Sequence, residues 1–171
     1  MNITNTQNVS NTQNMMDKID LGPTESIQLM FAKLQLAQAQ MCKDQAESYI
    51  NKIQNNQKEQ KECAEMISRA RALQNQAKKD NKPVEMPQDM VDYFKKHSLT
   101  FDTSGNDNSH SKDEWDVNIK SLTNFQDSLG STTQTDMVFL QDFLGQYNSF
   151  LQGANAAIKQ SNETMQIIAR G

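Results

Sequence analysis

The sequence predicts an all-α fold, an elongated antiparallel helical hairpin with coiled-coil packing. Three features of the 171-residue chain support this prediction: a long C-terminal heptad stripe, an earlier stretch free of Gly and Pro, and a proline-containing break between them. Each helix has an apolar stripe that must be covered. The break at 80–112 is long enough for the chain to reverse, so the two stripes can pack against each other.

The C-terminal helix is predicted over residues 113–169, behind a capping-box pattern at Ser111 and Glu114. Its apolar stripe advances by alternating steps of three and four residues, the period of a coiled coil. Gly130 to Thr133 lower the helix propensity, so we expect a kink or local break there. The steps of the stripe are Trp115, Ile119, Leu122, Gln126, Leu129, Thr133, Asp136, Leu140, Phe143, Tyr147, Phe150, Ala154, Ala157, Ser161, Thr164 and Ile168.

The first long helix is predicted over residues 24–79, with Gly22 to Glu25 as its start signal. An apolar face at helical spacing opens it, and a thin heptad seam continues it. The face comprises Ile27, Met30, Phe31, Leu34, Ala37 and Met41. The seam comprises Ala46, Tyr49, Ile53, Asn56, Gln60, Cys63, Ile67, Ala70, Gln74 and Ala77. Its polar centre lowers stability but favours one register.

The connecting region, residues 80–112, contains a second, short helix. Pro83 ends the first long helix, and Pro87 stands at the first position of the short one. Leu99 to Asp102 alternate between apolar and polar side chains, which suggests a short extended segment. The predicted packing face of the short helix consists of Met90, Val91, Tyr93 and Phe94.

Residues 1–20 are dominated by Asn, Thr, Gln and Ser, so we expect a disordered polar leader followed by one helical domain over 21–171. The leader has neither the basic start nor the apolar stretch of a secretory signal peptide. No apolar run elsewhere is long enough to cross a bilayer. General secretion and membrane insertion are therefore not expected, whereas an ordinary tail or an address read by another export machine both remain open.

The composition argues against nucleic-acid binding and favours a protein partner. The net charge is −4 and the pI about 5.2, whereas nucleic-acid binding needs a basic face. The chain contains 20 Gln and 17 Asn. Such uncharged polar side chains suit a disordered segment or a surface that packs against copies of itself.

No residue pattern predicts an enzyme, a metal site or a cofactor. His97 and His110 are the only histidines, and no nucleophile, phosphate-loop or zinc motif accompanies them. The loop from Asp102 to Asp113 has oxygen side chains at some calcium-loop positions but lacks the required glycine. Cys42 and Cys63 are too far apart on one straight helix to form a disulfide, so we expect two buried thiols.

A two-helix hairpin has little core of its own, so the sequence predicts association with copies of itself or with other proteins. The residues predicted to carry this association lie on the C-terminal stripe: Trp115, Ile119, Leu122, Leu129, Leu140, Phe143, Tyr147, Phe150 and Ile168.

Three stretches of sequence carry a resemblance to a known family. They are SIQLMFAKLQLAQAQ at residues 26–40, MPQDMVDYF at 86–94 followed by LTFD at 99–102, and the heptad helix that ends the chain. Together they resemble the hydrophilic translocators of bacterial type III secretion, most closely the EspA and SseB filament proteins. The IpaD and LcrV tip proteins are a related second choice, but they are much larger.

The resemblance implies export by the type III apparatus and assembly outside the bacterium, as a filament or a needle-tip complex. The implied partners are copies of this chain, the needle subunit, the hydrophobic pore-forming translocators and a dedicated secretion chaperone. Its function would be to link the needle to the translocation pore for effector delivery into host cells. The alternative is an intracellular coiled-coil adaptor or export chaperone.

Overall fold

The computed structural model describes residues 14–19 and 26–171. Two long helices pack antiparallel and are joined by a short helix with irregular flanks, which confirms the predicted fold class. The elements in chain order are α1 (14–18), α2 (Ile27–Asp80), β1 (Val84–Glu85), α3 (Gln88–Lys96), a 3-10 turn (Ser104–Asn106), β2 (Ser109–His110) and α4 (Lys112–Arg170).

The chain divides into two compact units. Unit 1 comprises Met1–Asn51 and Asp136–Gly171, and unit 2 comprises Lys52–Thr135. Each unit therefore contains one part of α2 and one part of α4. The single helical domain over residues 21–171 stays a prediction.

Unit 2 is organised around a core in which α3 closes over α2 and α4. Arg69 on α2 holds α3 in place through two hydrogen bonds to the Asp89 carboxylate, at 2.6 and 3.0 Å. All four residues predicted as the packing face of α3 are buried. The buried residues of this core are Cys63, Ile67, Ala70, Ala77, Met86, Met90, Val91, Tyr93, Phe94, Trp115 and Leu122.

Leu99 to Asp102, predicted as a short extended segment, are not part of a β-strand pair. The two strands are instead β1 and β2, which pair antiparallel with Val84 opposite His110. Leu99 and Phe101 pack against the core of unit 2, and the Asp102 backbone N–H donates to Asn118 Oδ1 at 2.8 Å. The apolar and polar alternation of this segment therefore reflects contact with α4 and not pairing with another strand.

Both long helices begin with a side-chain cap. Ser26 Oγ accepts a hydrogen bond from the Leu29 N–H at 3.1 Å, while the predicted start at residues 22–25 lies outside the described residues. The predicted capping box of α4 is confirmed. Glu114 N–H donates to Ser111 Oγ at 3.4 Å, and Ser111 N–H donates to Glu114 Oε2 at 2.6 Å.

The expected local break at Gly130 to Thr133 is absent, and these residues belong to the continuous helix α4 from Lys112 to Arg170. Threonine hydroxyls donate to backbone carbonyls one turn earlier: Thr132 to Ser128 at 3.0 Å and Thr133 to Leu129 at 2.8 Å. These bonds satisfy hydroxyls that would otherwise compete with the helix for hydrogen bonds. Packing against α2 thus outweighs the low intrinsic helix propensity.

In unit 1, α2 and α4 meet along a seam of small side chains. Ala32, Ala39 and Ala46 are buried on α2 at intervals of seven residues. Ala154, Ala157 and Ser161 are buried on α4, and the hydroxyl oxygens of Ser161 and Ser26 lie 3.3 Å apart. Small seam residues permit close approach of two helices but bury little apolar area.

The predicted packing face at the start of α2 is wrong at its first three residues, whereas Ala37 of the same face is fully buried. Ile27, Met30 and Phe31 are exposed, with 81%, 54% and 48% of their surface accessible. The sequence pattern favours the large apolar side chains as the packing face. The buried seam instead contains small residues, and it continues the heptad of Ala46 toward the N-terminus through Ala39 and Ala32. Neighbouring residues of an α-helix point about 100° apart. A face assigned to Phe31 instead of Ala32 therefore lies on a different side of the helix.

Helix α1 belongs to unit 1 and lies against its helix pair. Met15, Lys18 and Ile19 line a cavity together with Leu36, Ala39 and Gln40 of α2 and with Tyr147 and Leu151 of α4. This differs from the irregular chain expected for the whole leader. Residues 1–13 and 20 lie outside the described residues.

The stability of unit 2 should depend on pH through His110. The imidazole is buried beside the Trp115 ring, with ring centroids 5.2 Å apart, and Nε2 has no hydrogen-bond partner within the described part of the chain. Burial lowers the pKa of His110 below its usual value of 6.5, although the carboxylates of Glu114, Asp102 and Asp107 oppose this shift.

The lowered pKa determines the sign of the effect. As the pH falls below about 6.5, the unfolded chain takes up a proton on His110 before the folded chain does, so the free energy of unfolding decreases. We expect a lower urea midpoint at pH 5.5 than at pH 7.5, measured by near-ultraviolet circular dichroism. In His110→Phe the difference between the two midpoints should shrink; an equal difference would show that other groups cause it.

Candidate self-association surface

The structure divides the nine residues predicted for self-association into three groups. Trp115 and Leu122 are fully buried in the core of unit 2, Ile119 packs against that core, and Leu129 is also buried. Trp115, Leu122 and Leu129 have little accessible surface in this conformation, whereas Ile119 is half-buried. All four contribute to the packing of unit 2, and their role in self-association stays a prediction.

The second group, Leu140, Phe143, Tyr147 and Phe150, lies half-buried along α4 in unit 1. The Phe143 ring stacks on Tyr49 of α2 at a centroid distance of 5.7 Å, and Phe139 approaches Tyr49 at 5.5 Å. Each of these aromatic side chains thus contacts the helix pair on one side and leaves part of its surface accessible.

The third group is Ile168 alone, which is 74% exposed near the end of α4. The buried part of the seam ends at Ser161, and every residue after it is exposed. Met165 and Ile167 are exposed in the same segment. The final turns of α4 therefore present apolar side chains that no described part of this chain covers.

A second exposed surface lies on α2, where the sequence pattern predicts internal packing. We define the outer face as the five residues Ile27, Met30, Phe31, Leu34 and Met41. Leu34 and Met41 are half-buried, and the other three are exposed. Their helical positions fall within an arc of about 100°, so they form one continuous apolar stripe.

The outer face adjoins an open groove between α2 and α4 with a volume of about 420 Å³. Its lining residues are Gln38, Met41, Cys42, Gln45, Phe143, Gln146 and Phe150. None carries a charge, because burial and the nearby Asp142 carboxylate raise the pKa of the Cys42 thiol above its usual 9.0. The thiol lies 3.8 Å from Gln146 Oε1. An apolar floor with a rim of amides suits an uncharged, amphipathic helix.

The two units differ in where their large apolar side chains lie. Unit 2 buries them, and Val117 is its only exposed example among the described residues. Unit 1 buries mainly small residues in its seam and exposes the large ones. The exposed large side chains of unit 1 are Ile27, Met30, Phe31, Ile50, Met137, Val138, Phe139, Leu144, Met165, Ile167 and Ile168.

This distribution makes a partner for unit 1 energetically favourable. Complete burial of one Ile, Phe or Met side chain contributes about 1.5–3 kcal/mol. Monomeric soluble proteins rarely expose large contiguous apolar patches, and such patches usually mark interaction sites. A second helix pair laid against unit 1 would cover several of these side chains at once.

The described residues offer no alternative site with recognisable chemistry. No three His, Cys, Asp or Glu side chains among them converge as metal ligands. Asp102, the first residue of the calcium-like loop, accepts a hydrogen bond from the Ser104 N–H at 2.8 Å. Cys42 and Cys63 are free, buried thiols, and Cys63 Sγ donates to the Leu122 carbonyl at 3.2 Å. No described helix has both the length and the apolar character needed to span a bilayer.

No family model matches this chain, and no curated protein and no solved structure shows significant similarity to it. We therefore infer its function from its fold and surface chemistry.

The exposed surface of α2 could have been found from the sequence by following small residues instead of large ones. Ala32, Ala39 and Ala46 continue, at the same interval of seven, into Ile53, Gln60, Ile67 and Gln74. That series is the actual seam. Ile27 and Phe31 lie on another side of the helix and are exposed, whereas Leu29 deviates from the series and is still buried.

Proposed function

We propose that this protein is a structural subunit that assembles with copies of itself, as the extracellular filament or needle-tip complex of a type III secretion apparatus. Unit 1 supplies the contacts between subunits. Unit 2 supplies a folded core that closes the hairpin. No catalytic role is proposed for any residue.

One observation carries the proposal: apart from Leu29, the described part of unit 1 buries mainly small side chains and leaves many large apolar side chains exposed. A self-sufficient hairpin would do the opposite, since burial of large side chains provides most of the stabilisation. The arrangement is therefore favourable only if other molecules cover unit 1. Filaments of one repeated subunit provide such cover along their whole length.

The particular system is proposed from the sequence resemblance alone. The stretches at residues 26–40 and 86–94 and the terminal heptad helix resemble type III hydrophilic translocators. In that setting the needle subunit, the pore-forming translocators and a secretion chaperone are the proposed partners. The polar leader would act as the export address, and the assembled protein would stand on the bacterial surface.

Assembly is tested with the purified intact chain. We expect its sedimentation coefficient to rise with concentration and electron microscopy to show extended particles. Truncation after Leu151 should abolish this assembly, because it removes the end of the seam and the exposed terminal turns of α4. A monomer at every concentration would contradict the proposal, and a closed small oligomer would favour the adaptor or chaperone alternative.

The destination is tested separately. Residues 1–20 fused to a reporter should be released into the medium by bacteria with an active type III apparatus. The same fusion should stay inside bacteria whose apparatus is inactivated. Retention in both strains would contradict the proposed export while leaving self-assembly untouched.

A further inference from the structure

The helix pair of unit 1 has two grooves, and α1 lies in one of them. The occupied groove is lined by Leu36, Ala39 and Gln40 of α2 and by Tyr147 and Leu151 of α4. The open groove, described above, is lined by Gln38, Gln45 and Phe150 among others. Gln38 is two residues from Leu36 on α2, and such positions point about 200° apart. The two grooves therefore lie on opposite sides of the seam.

The grooves share their chemistry. Each combines a large aromatic ring of α4 with apolar side chains and glutamine amides of α2. Lys18, which α1 itself contributes, is the one charged residue lining either groove among the described residues. A helix that fits one groove thus meets similar side chains in the other.

Several features of α1 make it a weakly held occupant. It has only five helical residues, and an isolated helix of that length is not stable in water. Its contact side chains, Met15 and Ile19, remain half-buried. A pocket of about 380 Å³ that is open to solvent remains beside α1 and the helix pair, so α1 does not fill the groove. The segment covers apolar surface without filling the groove.

We propose that α1 is an intramolecular cover for this groove, and that a second copy of the chain displaces it during assembly. The proposal rests on the proposed function, and it adds a regulatory step to it. With α1 in place, only the outer face and the open groove are available. Displacement of α1 also exposes Leu36, Tyr147 and Leu151 to a partner. Apolar surface is then accessible on both sides of the helix pair.

A second copy is the occupant that the surface chemistry favours. The outer face of a neighbouring subunit presents Ile27, Met30 and Phe31 on one helical stripe. Such a stripe can fill the space that Met15 and Ile19 leave empty. Because neither side then brings a charge into the groove, no ionised group has to be desolvated.

The cover is tested in the full-length chain with Met15→Ser/Ile19→Ser, which weakens the contacts of α1 and leaves the groove intact. The matched control is Asn14→Ser, at an exposed position of the same helix. The measured quantity is the concentration at which assembly begins, from light scattering and sedimentation. We expect the double variant to assemble at a concentration about tenfold lower than the wild type, which corresponds to about 1.4 kcal/mol. The control should match the wild type.

The outcomes separate the two proposals. If the wild type assembles and the double variant assembles at the same or a higher concentration, α1 is not a cover, but the proposed function stands. If only the double variant assembles, the cover is supported in its strongest form. If neither assembles at any concentration, self-assembly fails and the cover fails with it.

Discussion

Replacement of Trp115 by alanine should lower the free energy of unfolding by about 3–5 kcal/mol, the usual cost of removing a large buried aromatic side chain. Trp115 is fully buried, and its ring packs edge-to-face against His110 at a centroid distance of 5.2 Å. It belongs to the core that joins α2, α3 and α4 in unit 2. Its removal would leave a cavity between these three helices.

Urea unfolding, followed by circular dichroism in the near and far ultraviolet, would measure this loss. The matched control is Val117→Ala, two residues along α4 in the same unit. Val117 is 52% exposed, so its truncation should change the free energy of unfolding by less than about 0.5 kcal/mol. Equal effects of the two substitutions would show that Trp115 does not hold unit 2 together.

Phe31→Asp should raise the concentration needed for assembly by at least about tenfold. Phe31 is half-exposed on the outer face, so in an assembly its ring gains about half of the roughly 1.5–3 kcal/mol that complete burial contributes, and each 1.4 kcal/mol is a factor of ten. An aspartate in its place would also have to be desolvated without a partner. The helicity of the dilute monomer should change little. Light scattering across a concentration series measures the threshold.

The matched control for Phe31→Asp is Asn55→Asp, which adds the same charge to an exposed position of α2 outside unit 1. It should leave the threshold unchanged. Phe143→Asp is a less informative substitution, because Phe143 also stacks on Tyr49 within the chain and its loss would weaken the monomer. If Phe31→Asp assembles at the same concentration as the wild type, the outer face is solvent-exposed in the assembly and is not a contact between subunits.

Much of the fold follows from the sequence because the long-range pattern is regular. The heptad stripe of α4 is at least half-buried at each step from Trp115 to Ser161. The short helix and the capping box at Ser111 were also predictable, although the helix begins at Gln88 and Pro87 is its N-cap instead of its first residue. In each case a local rule and the tertiary packing favour the same structure.

The first part of α2 was predicted incorrectly because two periodic patterns overlap there. The large residues Ile27, Phe31 and Leu34 form one helical stripe, and the alanines at 32 and 39 form another. Hydrophobicity alone favours the stripe with the larger side chains. The chain instead packs the alanines, since close approach of α2 and α4 needs small seam residues, and Ile27 and Phe31 of the larger stripe stay exposed.

Of the candidate surface, the sequence identified the α4 aromatics but not their partial exposure. Exposure depends on which neighbour fills the space beside a residue, and that neighbour can be remote in the chain. Tyr147 illustrates this, because the groove beside it is covered by α1, more than a hundred residues away in sequence. Periodicity within α4 holds no information about such a contact.

The uncharged lining of the open groove has a consequence for the conditions under which subunits associate. Dissolved salt weakens attraction between charges by screening, but it has no such effect on contacts among glutamine amides, thiols and aromatic rings. Strongly hydrated anions such as sulfate favour burial of apolar surface instead. Contacts through this groove would therefore persist over a wide range of ionic strength.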